Sequence, residues 1–271
     1  MTDGAGWVEV AGGRLPYQVA GSESGVVLAH AGIADMRQWD PQWDAVTAAH
    51  RVVRYDLRGF GGADVVDTRF SNRADMIAVM DAAGLDRAAL VGCSRAGSIA
   101  IDTALEYPDR VSGLVWVCGG VSGNDGEDSP EEVAAGESEE LLSEAKDWAG
   151  LADFDVELWV DGIGQPVGRA PAAARDAVRR MTFETYVQEK PYGDTIVLDP
   201  PAIGRLGEVR VPTLVMIGGL DTPSTRRSAD LVAAGIPGAR RIDLPDIAHM
   251  PSLERPEWFT ETLLAFLATI G

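Results

Sequence analysis

Residues 88–101 read Ala88-Ala-Leu-Val-Gly-Cys-Ser-Arg-Ala-Gly-Ser-Ile-Ala-Ile101, an apolar run that passes through Gly92-Cys-Ser-Arg-Ala96 into a helix-forming stretch. When a buried strand turns straight into a helix, the residue at the apex takes a strained backbone, and its neighbours two before and two after must be small. Gly92 and Ala96 meet that requirement and leave Ser94 at the apex. Such a turn lifts the Ser94 hydroxyl to the carboxyl edge of a sheet and sets the amide of Arg95, at a helix start, toward the space above it. Taken alone the five residues also fit an ordinary glycine turn, and Ala96 stands where the G-x-S-x-G pattern has its last glycine. Their place between a strand and a helix is what points to an activated serine.

Outward from this segment, short apolar runs alternate with helix-length amphipathic stretches. Strands are expected near 26–30, 51–56, 88–92, 114–119, 213–218 and 240–244, and helices near 71–83, 96–106, 226–234 and 257–268. Residues 7–20 carry two period-2 segments joined by Gly12-Gly13, a hairpin signal. The alternation predicts an α/β fold: a mostly parallel sheet with helices on both faces. From about 122 to 205 no buried strand is legible, only helix-forming segments divided by Gly and Pro. The expected organisation is therefore a core of residues 1–121 and 206–271 with a helical cap at 122–205. Residues 124–140, rich in Gly, Ser and acids, read equally well as a solvated insertion. Phe154, Trp159, Met181, Phe183 and Tyr186 give the rest of the cap an apolar face with which to dock.

A serine at its ordinary pKa is a poor nucleophile and needs a base within hydrogen-bond reach. His249 is the candidate, in a polar loop between the 240–244 strand and the last helix. His50 reads as a surface residue, and His30, ending a strand, as one that packs or hydrogen-bonds beneath the site. The base needs a carboxylate to hold its tautomer. Asp221, in Gly218-Gly-Leu-Asp-Thr-Pro223 after an apolar strand, fits that role; Asp246, three residues before His249, is the rival and reads better as a loop-stabilising group. The chain order Ser94, Asp221, His249 is the order this architecture imposes. For an oxyanion, the amide of Gly32 in His30-Ala-Gly-Ile-Ala-Asp35 is the expected partner of Arg95, with Ile33 as the alternative donor and a substrate contact.

Five segments carry a resemblance: His30-Ala-Gly-Ile-Ala-Asp with Trp39-Asp-Pro41, Tyr55-Asp-Leu-Arg-Gly-Phe-Gly61, Gly92-Cys-Ser-Arg-Ala-Gly97, Tyr107-Pro-Asp-Arg-Val111 and His249-Met-Pro-Ser-Leu-Glu-Arg-Pro256. Together they resemble the α/β-hydrolase superfamily and, within it, the 3-oxoadipate enol-lactonase and carboxylesterase-like branch, over residues 7–120 and 205–270. The resemblance implies the same set, Ser94, Asp221 and His249 with the Gly32 and Arg95 amides, and a serine hydrolase that cleaves a carboxylic ester or lactone through an acyl-enzyme. Relatives with an aspartate nucleophile, such as haloalkane dehalogenases, are disfavoured because position 94 is serine. Carbon-carbon bond hydrolysis by the same residues and slow-turnover ligand binding remain the alternatives. The Arg95 guanidinium either holds a substrate carboxylate or pairs with a cap glutamate. Trp39 either lines the acyl pocket or packs in the core.

Composition bounds the partners. With 42 acidic and 23 basic residues the net charge is -19, which disfavours nucleic acid and anionic membranes and leaves a small molecule as substrate. No apolar run approaches the roughly 20 residues of a bilayer span, and residues 1–13 lack a signal-like pattern, so a cytoplasmic protein is expected. Cys93 and Cys118 read as small core residues, and the three histidines are too scattered for a metal site; neither metal nor cofactor is expected.

Overall fold

The computed structural model describes residues 3–65, 67–190 and 193–270. The outermost residues of the expected core, 1, 2 and 271, lie outside the described residues. Among the described residues nine strands form one sheet: β1 (Gly4–Val10), β2 (Gly13–Ala20), β3 (Gly25–Ala29), β4 (Arg51–Tyr55), β5 (Asp64–Val65), β6 (Ala88–Cys93), β7 (Val111–Val117), β8 (Thr213–Gly218) and β9 (Arg240–Leu244). Their order is β1-β2-β4-β3-β6-β7-β8-β9, with the short β5 on β2. The β1–β2 hairpin and the β2–β4 pair are antiparallel. From β4 through β9 every neighbouring pair is parallel.

The central strands are buried on both faces, which is why they read as continuous apolar runs instead of alternating ones. Helices α1 (Asp40–Thr47), α2 (Asn72–Ala82), α3 (Arg95–Glu106), α7 (Pro223–Gly235), α8 (Pro251–Glu254) and α9 (Pro256–Leu267) accompany the sheet. The expected 226–234 helix starts earlier because the Thr222 hydroxyl accepts from the Thr225 amide and Pro223 fits the first turn. Sequence reasoning passed over α1.

Between β7 and β8 stand α4 (Pro130–Glu144), α5 (Trp148–Asp155), a π-helical turn (Val156–Asp161) and α6 (Ala172–Tyr186). The acidic stretch is helical from Pro130 because Ser129 and Glu132 form a reciprocal capping box. No side chain of α4 is buried, so the solvated reading describes its surface while the helical one describes its backbone. Helix α6 docks through Ala174, Val178 and Met181, whereas Phe183 faces outward. Among the described residues no helix is long and apolar enough to cross a membrane.

Because β3, β6, β8 and β9 run parallel, the loops that follow them gather at one edge of the sheet. Ligand sites of open α/β sheets form at this carboxyl edge. Ser94, Asp221, His249 and Gly32 all sit in those four loops.

Candidate active site

Ser94 follows the last residue of β6 with φ 55° and ψ −119°, the left-handed strain expected of a sharp strand-to-helix apex. Its amide donates to the Val117 carbonyl at 2.9 Å, and its carbonyl accepts from Gly97 at 2.9 Å, so both ends of the turn are tied. The turn closes so tightly that a Cβ at position 92 would stand 2.2 Å from the Ala96 carbonyl oxygen. Ala96 keeps its methyl fully buried, so alanine serves at the position where the pattern has glycine.

The same close approach joins the other two loops. A Cβ on Gly218 would lie 1.9 Å from the Ala248 oxygen, so glycine lets the loop after β9 rest directly on the end of β8. The Gly219 amide then donates to Leu244 at 2.7 Å and the Leu220 amide to Ile247 at 3.0 Å. This stacking delivers His249 to Asp221. His249 Nδ1 stands 2.8 and 3.0 Å from the two Asp221 carboxylate oxygens, one of which also accepts the Thr222 amide at 2.7 Å. A carboxylate can only accept, so Nδ1 carries the proton and Nε2 is the acceptor nitrogen. Both side chains are buried. Asp246 is instead 63% exposed, paired with Arg255, and does not reach the imidazole.

Ser94 and His249 line one cavity of about 470 Å³. Among the described residues no hydrogen bond joins the two side chains, which share that cavity wall. Gly32, Ile33 and Arg95 line the same cavity. Arg95 is the first residue of α3, where backbone amides project off the helix end. Its guanidinium stands 5.5 Å over the Phe60 ring, at the partition with a second cavity that also touches Glu139 and Lys190.

Trp39 is corrected. Its side chain is 0% exposed, its ring centroid lies 6.0 Å from that of Phe259, and it is absent from the cavity wall. The short helical turn Met36–Trp39 packs on α1, and the Trp39 ring meets Phe259 of α9, so the aromatic there fills the core. Cys93 is buried with its thiol pushed up to about 12 by desolvation, and burial likewise raises Cys118 well above the ordinary thiol range; neither is poised as a thiolate. His30 does hydrogen-bond beneath the site: its Nδ1 donates to Ala31 at 2.7 Å and its Nε2 accepts from Leu57 at 2.9 Å, while burial holds its pKa down. His50 sits near the surface against Ser24.

Sequence reasoning missed the residues that hold this machinery in place. Glu254, fully inside, accepts from the Ala248 amide at 3.0 Å and the Met250 amide at 3.3 Å, gripping the loop on both sides of His249. Burial raises its pKa, and Arg169 opposes that by pairing with it. Arg169 also donates to the carbonyls of Asp161 (2.6 Å), Val160 (2.7 Å) and Asp246 (2.8 Å), so one guanidinium spans the helical insertion and the His249 loop. The His249 amide donates to Trp159 at 3.1 Å, and the two rings stand 4.6 Å apart. On the other side, buried Gln38 accepts the Ala31 amide at 2.8 Å and donates to Ser252 at 3.2 Å. The only sequence signal for these ties was polar residues falling where the chain must be buried.

Residues 26–262 match the family model described as the alpha/beta hydrolase family. The chain is 28% identical to a 2-hydroxy-6-oxo-6-phenylhexa-2,4-dienoate hydrolase of Burkholderia cepacia, over 94% of this chain and 91% of that one. It is 24% identical to 3-oxoadipate enol-lactonase 1 of Acinetobacter baylyi, over 96% and 95% respectively. Among solved structures it is similar to Est816, described as an N-acyl homoserine lactone degrading enzyme, with a TM-score of 0.73 and 26% identity over 96% of this chain and 100% of that one.

Proposed function

The chain belongs to the alpha/beta hydrolase family, and from that premise we propose that it cleaves a carboxylic ester or lactone of a small molecule through an acyl-enzyme on Ser94. The observation that carries this reading is the pairing of His249 with buried Asp221 in the loop stack that faces Ser94 across one cavity. Ser94 Oγ attacks the carbonyl carbon while His249 Nε2 takes its proton. The Asp221 carboxylate steadies the imidazolium, and the amides of Arg95 and Gly32 receive the oxyanion, each such donor being worth about 10²–10³ in rate. The tetrahedral centre collapses, the carbon-oxygen bond breaks, and the leaving alcohol takes the proton from His249. Water repeats the sequence and releases the acid. Residues 122–205 act as the cap over this site and residues 1–121 with 206–271 as the core, in a cytoplasmic enzyme that needs no cofactor.

A second reading, carbon-carbon bond hydrolysis by the same residues, draws on the similarity to the dienoate hydrolase. Turnover of a short-chain ester, a small lactone and a vinylogous diketone separates the two. The ester reading expects hydrolysis of the first two, abolished in Ser94→Ala. Turnover of the diketone alone would replace it with the second reading.

A further inference from the structure

The wall of the cavity contributed by residues outside the sheet edge is acidic, and its acids are graded by depth. Asp128 and Glu139 are exposed, while Asp155 is only 2% exposed. Asp155 ends α5, where the Tyr186 hydroxyl from α6 donates to one of its oxygens at 2.5 Å. Among the described residues the other oxygen has no protein partner, although it belongs to a buried side chain on the cavity wall. A buried carboxyl with one oxygen satisfied and one left toward a cavity is built to accept a donor from what enters. Tyr186 is itself held by the Trp148 ring, 6.2 Å between centroids, so the pair is fixed in place.

We infer that Asp155, oriented by Tyr186, is a specificity-determining residue that receives a protonated amine on the substrate and turns carboxylate-bearing substrates away. The inference rests on the ester or lactone reading of the same cavity and deepens it by naming the substrate class. Among the described residues three carboxyls line the cavity against one guanidinium, that of Arg95. A charged hydrogen bond in a water-poor site is worth more than one at the surface, so the deepest acid decides the preference. The exposed Asp128 and Glu139, with the net charge of -19, draw cations toward the mouth and repel anions. This chemistry also weighs against the substrate-carboxylate role considered for Arg95, since a carboxylate held there would share the cavity with all three acids.

The groups that face Asp155 are Tyr186 from α6 and Glu139 from α4; across the cavity stand Arg95 and His249, with Asp128 at the mouth. Desolvation raises the Asp155 carboxyl to about 7, with Tyr186 opposing and Glu139 adding to the rise. The carboxylate that attracts an amine is therefore present above about pH 7 and lost below it.

Binding to Ser94→Ala, which removes turnover, tests this with three probes that share a five-methylene chain and a methyl ester: the methyl esters of 6-aminohexanoate and heptanoate, and monomethyl pimelate. Calorimetry at pH 8 is expected to show the amino ester bound on the order of tenfold more tightly than monomethyl pimelate, with the neutral ester between them and the gap narrowing at pH 6. Adding Asp155→Asn should shrink the amine advantage to about threefold or less, and Tyr186→Phe should reduce it part of the way. Equal or tighter binding of monomethyl pimelate, no binding of any probe, or an amine advantage that survives Asp155→Asn in a folded double variant would overturn the assignment. Covalent labelling of the wild type by a neutral fluorophosphonate reports separately on the serine mechanism, so a failure of either reading is identifiable.

Discussion

The two walls of the cavity are built on different terms. The sheet-edge wall is buried and cross-tied: Ser94 between Val117 and Gly97, His249 between Asp221, Trp159 and the amides that Glu254 grips, and the Gly32 loop through Gln38. The wall from the helical insertion is polar and partly exposed, with Asp128 and Glu139 at the surface and Asp155 buried. A reacting constellation must be held to fractions of an ångström, which buried and fully satisfied groups achieve. Selection of a substrate needs only the right charge at roughly the right depth, and a surface element supplies that. Under the proposed function, chemistry belongs to the first wall and choice of substrate to the second.

Substitutions on the two walls should therefore differ in kind. The largest loss is expected for Asp221→Asn, which keeps the shape but favours the wrong tautomer of His249: a fall in kcat/KM on the order of 10³–10⁴ on any ester, charged or neutral. A loss confined to one charge class would erase the distinction between the walls. Next comes Glu254→Gln, which weakens the grip around His249 and leaves Arg169 without its carboxylate. A fall in kcat of about 10–100-fold with little change in KM is expected, together with a shifted pH profile that a purely structural role would not produce. Gly218→Ala forces the His249 loop off β8 and should cost about 1–3 kcal/mol in urea unfolding as well as activity.

Asp155 sharpens the comparison through pH. Its folded pKa, about 7, lies above the ordinary aspartate value, so the folded protein holds the proton more tightly than the unfolded chain. Its contribution to stability is present at low pH and falls as pH rises from about 4 to about 7. Urea midpoints of the wild type should thus drop across that window more steeply than those of Asp155→Asn; parallel curves would remove the buried carboxyl from consideration. The smallest effect belongs to Leu141→Ser on α4, 67% exposed, which should stay within about 0.5 kcal/mol.

The sheet-edge wall was largely legible in the sequence because its constraints are local. Small residues around Ser94 and the glycine pair before Asp221 are written at fixed offsets, and the strand-loop rhythm puts each at the same edge. Trp39 shows the limit of that reading, since a tryptophan near an entrance loop looks the same on paper whether it faces a cavity or, as here, Phe259. Glu254, Arg169 and Gln38 escaped notice because their partners lie in other elements, Gln38 and Ser252 being 214 positions apart. The Asp155–Tyr186 pair was hidden for a further reason: in an acidic, helix-rich stretch, nothing marks which carboxylate turns inward. Packing of α5 on α6 decides that, and such packing has no short signature.

The most direct measurement is intact-mass detection of fluorophosphonate labelling in the wild type and Ser94→Ala. The serine mechanism requires a single adduct on the wild type, none on Ser94→Ala, and loss of ester hydrolysis in parallel. A well-folded wild type that takes no label, or a Ser94→Ala variant that labels and turns over as before, would contradict it.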